Sequence, residues 1–281
     1  MRTSFPKLRW IAAMALVSAP AFAADLSLDN INLADYEALV QEFSANSQYS
    51  SVTPASSLGG LWGFEFGVVG GMTKAPDLLA LVKRNNAGAN FKDELYHVGG
   101  LARLGLPFGF TAEALYFPKT TISSIKIGRW GGAAQWTLTD AILEDFPIEL
   151  AIKGYVTKTT LQYSQTVNNA STANVPVNAV VGFDNTLYGF QVIASYKLFI
   201  FEPYVGLGWM KAKGDLNVDA SGNTTILNIG AFGSSKSASS KPSSAQVLLG
   251  TDLRLAFFSL GAEYERAFKK NSYTGRVSFR F

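Results

Sequence analysis

Hydrophobic and polar positions alternate with a period of two along most of the chain, from Leu61 to the last residue. In the first stretch, Phe64, Phe66 and Val68 alternate with glycines and Glu65. This period places successive side chains on opposite faces of a β-strand. About ten such stretches follow one another between turn-forming residues. The sequence therefore predicts an all-β chain of about ten strands, with a range of about eight to twelve.

The links between the predicted strands differ in length on the two sides of the sheet. Long links at 73–92, 162–183 and 215–243 follow odd-numbered strands, whereas the links after even-numbered strands are short. Bacterial transmembrane barrels have long external loops and short periplasmic turns. The alternative, a sheet with one face on a soluble core, gives no reason to sort links by length. We therefore predict a closed antiparallel transmembrane β-barrel, because closure satisfies the backbone in lipid.

Charged residues share one parity of the predicted strands, and aromatic residues share the other. Aromatic residues fall near both ends of the outward face, as expected at two membrane interfaces. Few charges face outward, chiefly Lys126 and Arg266, and these lie near loop-side strand ends, where lipid headgroups can solvate them. The predicted lumen-lining polar network comprises Glu65, His97, Arg103, Glu113, Arg129, Glu149, Lys153, Glu202, Asp252, Arg254, Glu263, Glu265, Arg276 and Arg280. These side chains either fill the lumen with ion pairs or line a small pore.

The first 23 residues have the pattern of a secretory signal peptide. Arg2, Lys7 and Arg9 precede a short apolar run that ends in small residues. This leader holds three of the 24 basic residues and none of the 21 acidic ones, so the expected mature chain has no net charge. Nucleic-acid binding then lacks its usual electrostatic basis. The chain has no cysteine, which excludes disulfides and thiolate metal sites.

A helical period precedes the strands. Apolar residues at spacings of three and four predict an amphipathic helix within 30–43. A serine-rich linker follows it to residue 57. We expect residues 24–57 to form either a periplasmic segment or a plug of the barrel, and residues 58–281 to form the barrel itself.

The candidate catalytic chemistry is limited to the single histidine, His97, on the inward parity of the second strand. A hydrolase triad needs a serine and an orienting polar group near the histidine, and no local motif places a serine beside His97. One histidine without an acid-rich loop also gives no metal site. We predict a polar lumen residue, no enzyme, no metal and no cofactor.

The last nine residues, YTGRVSFRF, resemble the C-terminal signal by which the barrel-assembly machinery recognises its clients. The alternating residues that carry this resemblance are Tyr273, Val277, Phe279 and Phe281. Together with the leader and the strand pattern, they make the chain similar to a bacterial outer-membrane β-barrel protein. The N-terminal helix resembles that of outer-membrane fatty-acid transporters, which have more strands. The resemblance implies outer-membrane localisation and contact with the assembly machinery.

Two functions are compatible with this pattern. The first is non-enzymatic passage or binding of a small or apolar solute, controlled by the N-terminal segment. The alternative is a sealed structural or surface-interaction barrel that acts through its long external loops. Outer-membrane lipids and lipopolysaccharide are expected partners of either, and nucleic acid is not.

Overall fold

The computed structural model describes residues 33–59, 63–85, 92–122, 125–143, 146–168, 176–221 and 237–281. Two helices precede or interrupt the strands, α1 (Leu33–Asn46) and α2 (Pro76–Asn85). The strands are β1 (Phe64–Lys74), β2 (Glu94–Gly105), β3 (Phe110–Ile122), β4 (Ile125–Thr137), β5 (Glu149–Asn168), β6 (Pro176–Ser195), β7 (Phe201–Ser221), β8 (Ser237–Ser240), β9 (Ser243–Leu255), β10 (Phe258–Ala267) and β11 (Lys270–Arg280).

The sheet closes on itself as an antiparallel barrel. Each strand from β1 to β7 pairs with the next, β7 pairs with β9, and β9 to β11 continue the ring. The seam joins β1 to β11 from Glu65 opposite Arg280 to Thr73 opposite Ser272. The predicted fold class, a closed barrel of about ten strands with an N-terminal helix, is confirmed within the described residues.

The short strand β8 continues the course of β9. Lys211 of β7 lies opposite Ser243 of β9, and Gly214 lies opposite Ser240 of β8, in one unbroken register. Between them, the carbonyl of Pro242 accepts a hydrogen bond from the amide of Ala212. Because proline has no amide hydrogen to donate, the ladder is interrupted there. The barrel wall therefore has ten strand positions. Strands β8 and β9 together occupy one of them, with Pro242 between the two.

The two faces of the barrel wall differ as the alternation predicts. Outward side chains are large and apolar, including Phe66, Val205 and Leu249, and all three are exposed. Inward side chains are mostly polar and buried. This arrangement places apolar atoms against lipid and polar atoms in the lumen, as in bacterial outer-membrane barrels. Among the residues that the structure describes, no helix is long and apolar enough to span a membrane.

We call the two ends of the barrel the turn side and the loop side. The turn side carries the links β2–β3, β4–β5, β6–β7 and β9–β10, and the loop side carries the others. Two predicted loops on the loop side have the wrong bounds. Strands β5 and β6 remain paired up to Asn168 and Pro176, inside the predicted loop 162–183. Strand β7 likewise extends to Ser221 within the predicted loop 215–243.

These extensions have a physical reason. About ten residues suffice for a tilted strand to cross a membrane, whereas β5 and β6 have 20 each. Beyond the bilayer no lipid requires apolar side chains on one face of a strand, so the sequence need not alternate. Backbone pairing continues there without the pattern that would reveal it.

The predicted loop 73–92 contains the helix α2, which the sequence analysis missed. Pro76 occupies the first helical position, Asp77 follows it, and Lys83 and Arg84 lie in the last turn. Proline at the start, an acid in the first turn and bases in the last turn are typical helix signals. These signals follow no period of two, so the alternation that predicts the strands does not include them.

The N-terminal residues 33–59 occupy the inside of the barrel, and we call them the plug. Helix α1 lies across the loop-side mouth, where Tyr36 contacts β7 and Asn46 contacts β2. The chain then descends through the lumen, and Ser57 reaches Arg280 near the turn side. Of the predicted helix face, Tyr36 and Val40 are buried, but Leu33 is exposed at the mouth.

Candidate functional site

The plugged lumen is the candidate functional site, and it is built first from ion pairs of the wall. Arg103 contacts Glu65 at 2.7 Å and Glu113 at 3.0 Å. Register explains these pairs, because Glu65 and Glu113 lie directly opposite Arg103 on the two neighbouring strands. Lys153 reaches Glu113 from β5, with 3.4 Å between Nζ and Oε1.

The same chain of charges continues across the seam. Arg276 contacts Glu65 at 2.8 Å and Asp252 at 2.6 Å. Arg254 then bridges Asp252 at 2.9 Å and Glu202 at 2.6 Å. Acids and bases alternate from β5 to β7 around most of the wall. We call this set the ionic belt: Lys153, Glu113, Arg103, Glu65, Arg276, Asp252, Arg254 and Glu202.

A glycine allows the belt to cross β10. Gly261 lies opposite Arg276 on one side and opposite Asp252 on the other. Because Gly261 has no side chain, the guanidinium of Arg276 passes over it to reach Asp252. A Cβ at Gly261 would lie 2.8 Å from a methyl carbon of Val52 in the plug. The wall is therefore shaped for both the ion pair and the plug.

The plug attaches to the belt through small hydroxyl side chains. Lys153 Nζ donates to Ser51 Oγ at 2.9 Å and to Thr53 Oγ1 at 2.7 Å. Ser56 Oγ donates to Glu202 at 3.0 Å and accepts from Arg254 at 2.6 Å. The serine-rich segment that the sequence analysis described as a linker is thus the buried partner of the lumen charges.

Backbone groups of the plug are also satisfied by wall side chains. The carbonyl of Ala55 accepts from Gln135 at 3.0 Å and from Thr137 at 2.7 Å. The carbonyl of Ser47 accepts from Thr157 at 2.9 Å. A non-helical chain in a lumen has no partner strand, and buried backbone groups without partners are costly. The polar wall supplies those partners.

The other predicted lumen residues lie outside the belt. Glu263 accepts from Ser50 at 2.7 Å and from Tyr204 at 2.9 Å. The remaining contacts are Glu265 with Gln246, Arg129 with the carbonyl of Gln48, Arg280 with the carbonyl of Ser57, and Glu149 with Lys197 and Thr139. Glu149 contacts Lys197 and Thr139 at the turn side, so the structure does not bring it into the belt.

His97 is a link between plug and wall. Its Nδ1 lies 3.0 Å from Asn46 Oδ1, and its Nε2 lies 3.0 Å from Thr274 Oγ1. The contacting groups are an amide and a threonine hydroxyl rather than a serine with an orienting acid. No group of three or more metal-binding side chains occurs among the described residues.

Apolar contacts also hold the plug, in the part of the lumen between the ionic belt and the loop side. Tyr49 stacks on Tyr155 with 5.8 Å between ring centroids. A Cβ at Gly131 would lie 3.0 Å from the ring of Tyr49, so this glycine leaves the space that the ring fills. Gly214 does the same for Val40. Wall glycines thus receive plug side chains.

A buried carboxylate fixes α1 at the loop side. Glu42 accepts from the amides of Asp77 and Leu78 at 2.7 and 2.8 Å, at the start of α2. It also accepts from Lys270 Nζ at 2.9 Å. Burial raises the pKa of Glu42 above its ordinary value, and the hydrogen bonds from Lys270 and α2 oppose that rise. We call Glu42, Asp77 and Lys270 the loop-side lock.

Comparison with protein families gives one match. A profile described as a family of unknown function (DUF6588) matches residues 100–281. The chain belongs to this family. The matched region begins within β2 and therefore leaves the plug outside it. Comparison with curated protein sequences found no match.

Several solved structures are similar to this chain at low identity. The attachment invasion locus protein Ail of Yersinia pestis is 11% identical over 78% of this chain and 97% of its own, with a TM-score of 0.30. The translocator domain of the autotransporter NalP from Neisseria meningitidis is 12% identical over 88% and 95%, with a TM-score of 0.41. A FadL homologue of Pseudomonas aeruginosa is 13% identical over 73% and 60%, with a TM-score of 0.35.

Proposed function

We propose that this protein is a non-enzymatic outer-membrane barrel that its own N-terminal segment seals, and that it acts at the cell surface. The observation that supports the proposal most is the occupied lumen. Residues 50–56 are buried, and they contact the wall on β5, β7, β9 and β10. A lumen filled in this way leaves the projecting loop side as the part that can meet partners.

The loop side has the reach for such contacts. A strand of 20 residues extends about 66 Å at about 3.3 Å per residue, roughly twice the apolar thickness of a bilayer. Strands β5, β6 and β7 therefore carry paired backbone beyond the membrane. A paired hairpin is a more rigid support for an interaction surface than an irregular loop.

Planar-bilayer recording tests the seal. We expect the full-length protein to show no steady conductance, because the belt and plug occupy the lumen. A variant without residues 33–57 provides the comparison. Steady conductance through the full-length protein would refute the sealed state.

Shortening the projecting hairpin tests the surface role. Gln162 and Gly182 lie opposite each other, so residues 163–181 can be replaced by a two-residue turn without shifting the register. We expect cells with this variant to lose adhesion or aggregation that the parent protein confers. The control replaces Lys269, which is exposed in the two-residue turn between β10 and β11, by glycine. Unchanged adhesion in the shortened variant would remove the surface role.

Gated passage of a small or apolar solute is the second candidate. It is favoured by the chemistry of the plug interface, where side-chain hydrogen bonds to serine and threonine can exchange for water when the plug leaves. We expect conductance or solute uptake after deletion of residues 33–57. If neither form conducts or takes up solute, passage is excluded.

Lipopolysaccharide is the proposed partner of the loop-side exterior. Four exposed bases lie on outward positions toward the loop-side ends of different strands: Lys126, Lys158, Lys211 and Arg266. Bases at this height can pair with headgroup phosphates. The cleaved leader and the assembly role of Tyr273, Val277, Phe279 and Phe281 stay predictions. The described part of that strand supplies outward rings at Tyr273 and Phe279.

A further inference from the structure

The turn side of the barrel carries an exposed apolar side chain at every one of its five strand junctions. The β2–β3 link has Phe108, the β4–β5 link Ile142, the β6–β7 link Phe199, the β9–β10 link Phe257, and the seam has Phe281. Their exposed fractions are 81, 64, 107, 61 and 65%. Leu106, Leu143, Phe146, Leu198 and Ile200 add to this ring, and all are exposed. We call the set the turn-side rim.

The rim is continuous with the lipid-facing wall. The ring of Phe257 stacks on that of Phe279, with centroids 6.5 Å apart, and Phe281 stacks on Phe64 at 5.2 Å. The indole Nε1 of Trp136 donates to the carbonyl of Phe108 at 3.1 Å. Wall aromatics thus hold the rim residues directly.

Two rim phenylalanines occupy tight-turn positions that bulky residues rarely take. Phe108 and Phe199 have φ angles of 60° and 51°, in the left-handed region that bulky residues rarely adopt. Asparagine or glycine would adopt this conformation more readily. Phe268 and Lys269 of a loop-side turn have the same conformation, so it belongs to tight turns at both ends of the barrel. At the rim, Phe108 and Phe199 project their rings away from the barrel.

The exposed carboxylate of Asp140 lies in the β4–β5 link of the rim, and the other described charges near the rim are paired or turned inward. Lys197 pairs with Glu149 at 2.5 Å, which neutralises both. Arg254 and Arg280 turn inward to the belt and plug. Phenylalanine also has no polar atom, unlike the tyrosine and tryptophan common at membrane interfaces. Such a surface fits an apolar environment rather than the headgroup boundary alone.

We propose that the turn-side rim is a membrane anchor that inserts into the phospholipid leaflet on that side of the membrane. The rim surrounds the whole circumference, which a bilayer covers and a single protein partner does not. Continuity with the lipid-facing rings points to the same occupant. The anchor sets the depth of the barrel. This role goes beyond surface interaction and does not depend on whether the lumen is sealed.

Spin labelling tests the anchor, and the absence of native cysteine makes single-site labels clean. The variant Phe199→Cys carries a nitroxide in vesicles of phosphatidylethanolamine and phosphatidylglycerol. Lys269→Cys is the matched control, because Lys269 is exposed at a loop-side turn with a φ of 60°. Heat-modifiable gel mobility checks that each variant is folded, and Phe257→Cys replaces any Phe199→Cys that is not.

We expect the rim label to collide more often with oxygen than with a water-soluble nickel chelate, and the control label to do the reverse. Equal nickel accessibility at both sites would place the rim in water and overturn the proposal. A rim label that is accessible in vesicles but becomes protected when a periplasmic extract is added would also overturn it, in favour of a protein partner.

Discussion

The two ends of this barrel are built in opposite ways. At the turn side the charges of the ionic belt are inside and the phenylalanines of the rim are outside. At the loop side, an apolar cluster of Tyr36, Val40, Leu81 and Phe183 is inside, and exposed lysines are outside. The turn side therefore follows the rule for a protein in lipid, and the loop side follows the rule for a protein in water.

The opposite placement of charged and apolar residues at the two ends shows where the surroundings of the strands change from lipid to water. In lipid the exterior must be apolar, so the polar residues that the chain carries are left to the lumen. Above the membrane, the hydrophobic effect drives apolar groups inward. Helices α1 and α2 meet at the loop side, where Tyr36, Val40, Leu81 and Phe183 form an apolar cluster. The plug extends through both regions of the barrel. Its serines lie toward the turn side, and helix α1 lies at the loop side.

The largest expected difference in the free energy of unfolding comes from replacing one ion-paired arginine at each end by alanine. Arg103→Ala leaves Glu65 and Glu113 buried with one base fewer, and breaking a buried pair costs about 3–5 kcal/mol. Arg84→Ala at the loop side removes an exposed pair with Asp35, worth about 0–1 kcal/mol. Urea unfolding in lipid vesicles measures both free energies. Equal losses would contradict the distinction between a buried belt and a solvated surface.

A cavity in the apolar cluster at the loop side should lower the free energy of unfolding somewhat less than the Arg103→Ala substitution does. Leu81→Ala removes a buried side chain between α1, α2 and the strands, with an expected loss of about 2–3 kcal/mol. Leu79→Ala, on the half-buried face of the same helix, is the control and should lose less. Proteolysis of α1 should accelerate in the first variant only. If both variants behave alike, the cluster does not hold the plug.

Replacing exposed bases on the exterior should weaken the attraction of the barrel to the membrane surface by a smaller amount, which depends on the lipid. Lys158→Gln with Lys211→Gln removes about 1 kcal/mol of surface attraction per base near anionic headgroups. The loss should appear in vesicles containing lipopolysaccharide and shrink in high salt, because exposed charges are screened. An identical loss in neutral phospholipid vesicles would exclude lipopolysaccharide as the cause.

The smallest effect is a pH dependence of the loop-side lock. Burial raises the pKa of Glu42 from its ordinary value of 4.5, so the folded protein holds this proton more tightly than the unfolded chain. The stabilisation linked to the proton is full below the ordinary pKa and is lost as pH rises through the raised value. The protection factors of the amides in the first turn of α2, corrected for the intrinsic exchange rate at each pH, should therefore rise on acidification from neutral pH. Glu42→Gln should remove this dependence, and Asp77→Asn should retain it. The same pH profile in all three proteins would assign the effect elsewhere.

The sequence predicted the wall well because lipid imposes one rule on every residue of a membrane strand. The parity that put Phe66 and Val205 outside also put Glu65 and Glu202 inside, and the structure has these orientations. Where that rule ends, prediction failed. The extensions of β5 and β6 and the helix α2 lie beyond the bilayer, and their residues do not alternate.

The sequence by itself determined the class of the fold, a count of about ten strands and the face that most wall residues present, because each follows from a local period of two. It left open whether the lumen charges fill a plug interface or line a pore. Only the tertiary structure decided that serines 50, 51 and 56 meet Glu263, Lys153 and Glu202 inside the barrel. Those contacts join residues more than 100 positions apart, and no local period encodes which segment enters the lumen. The same holds for the rim, whose ten apolar side chains become one ring only when the barrel closes.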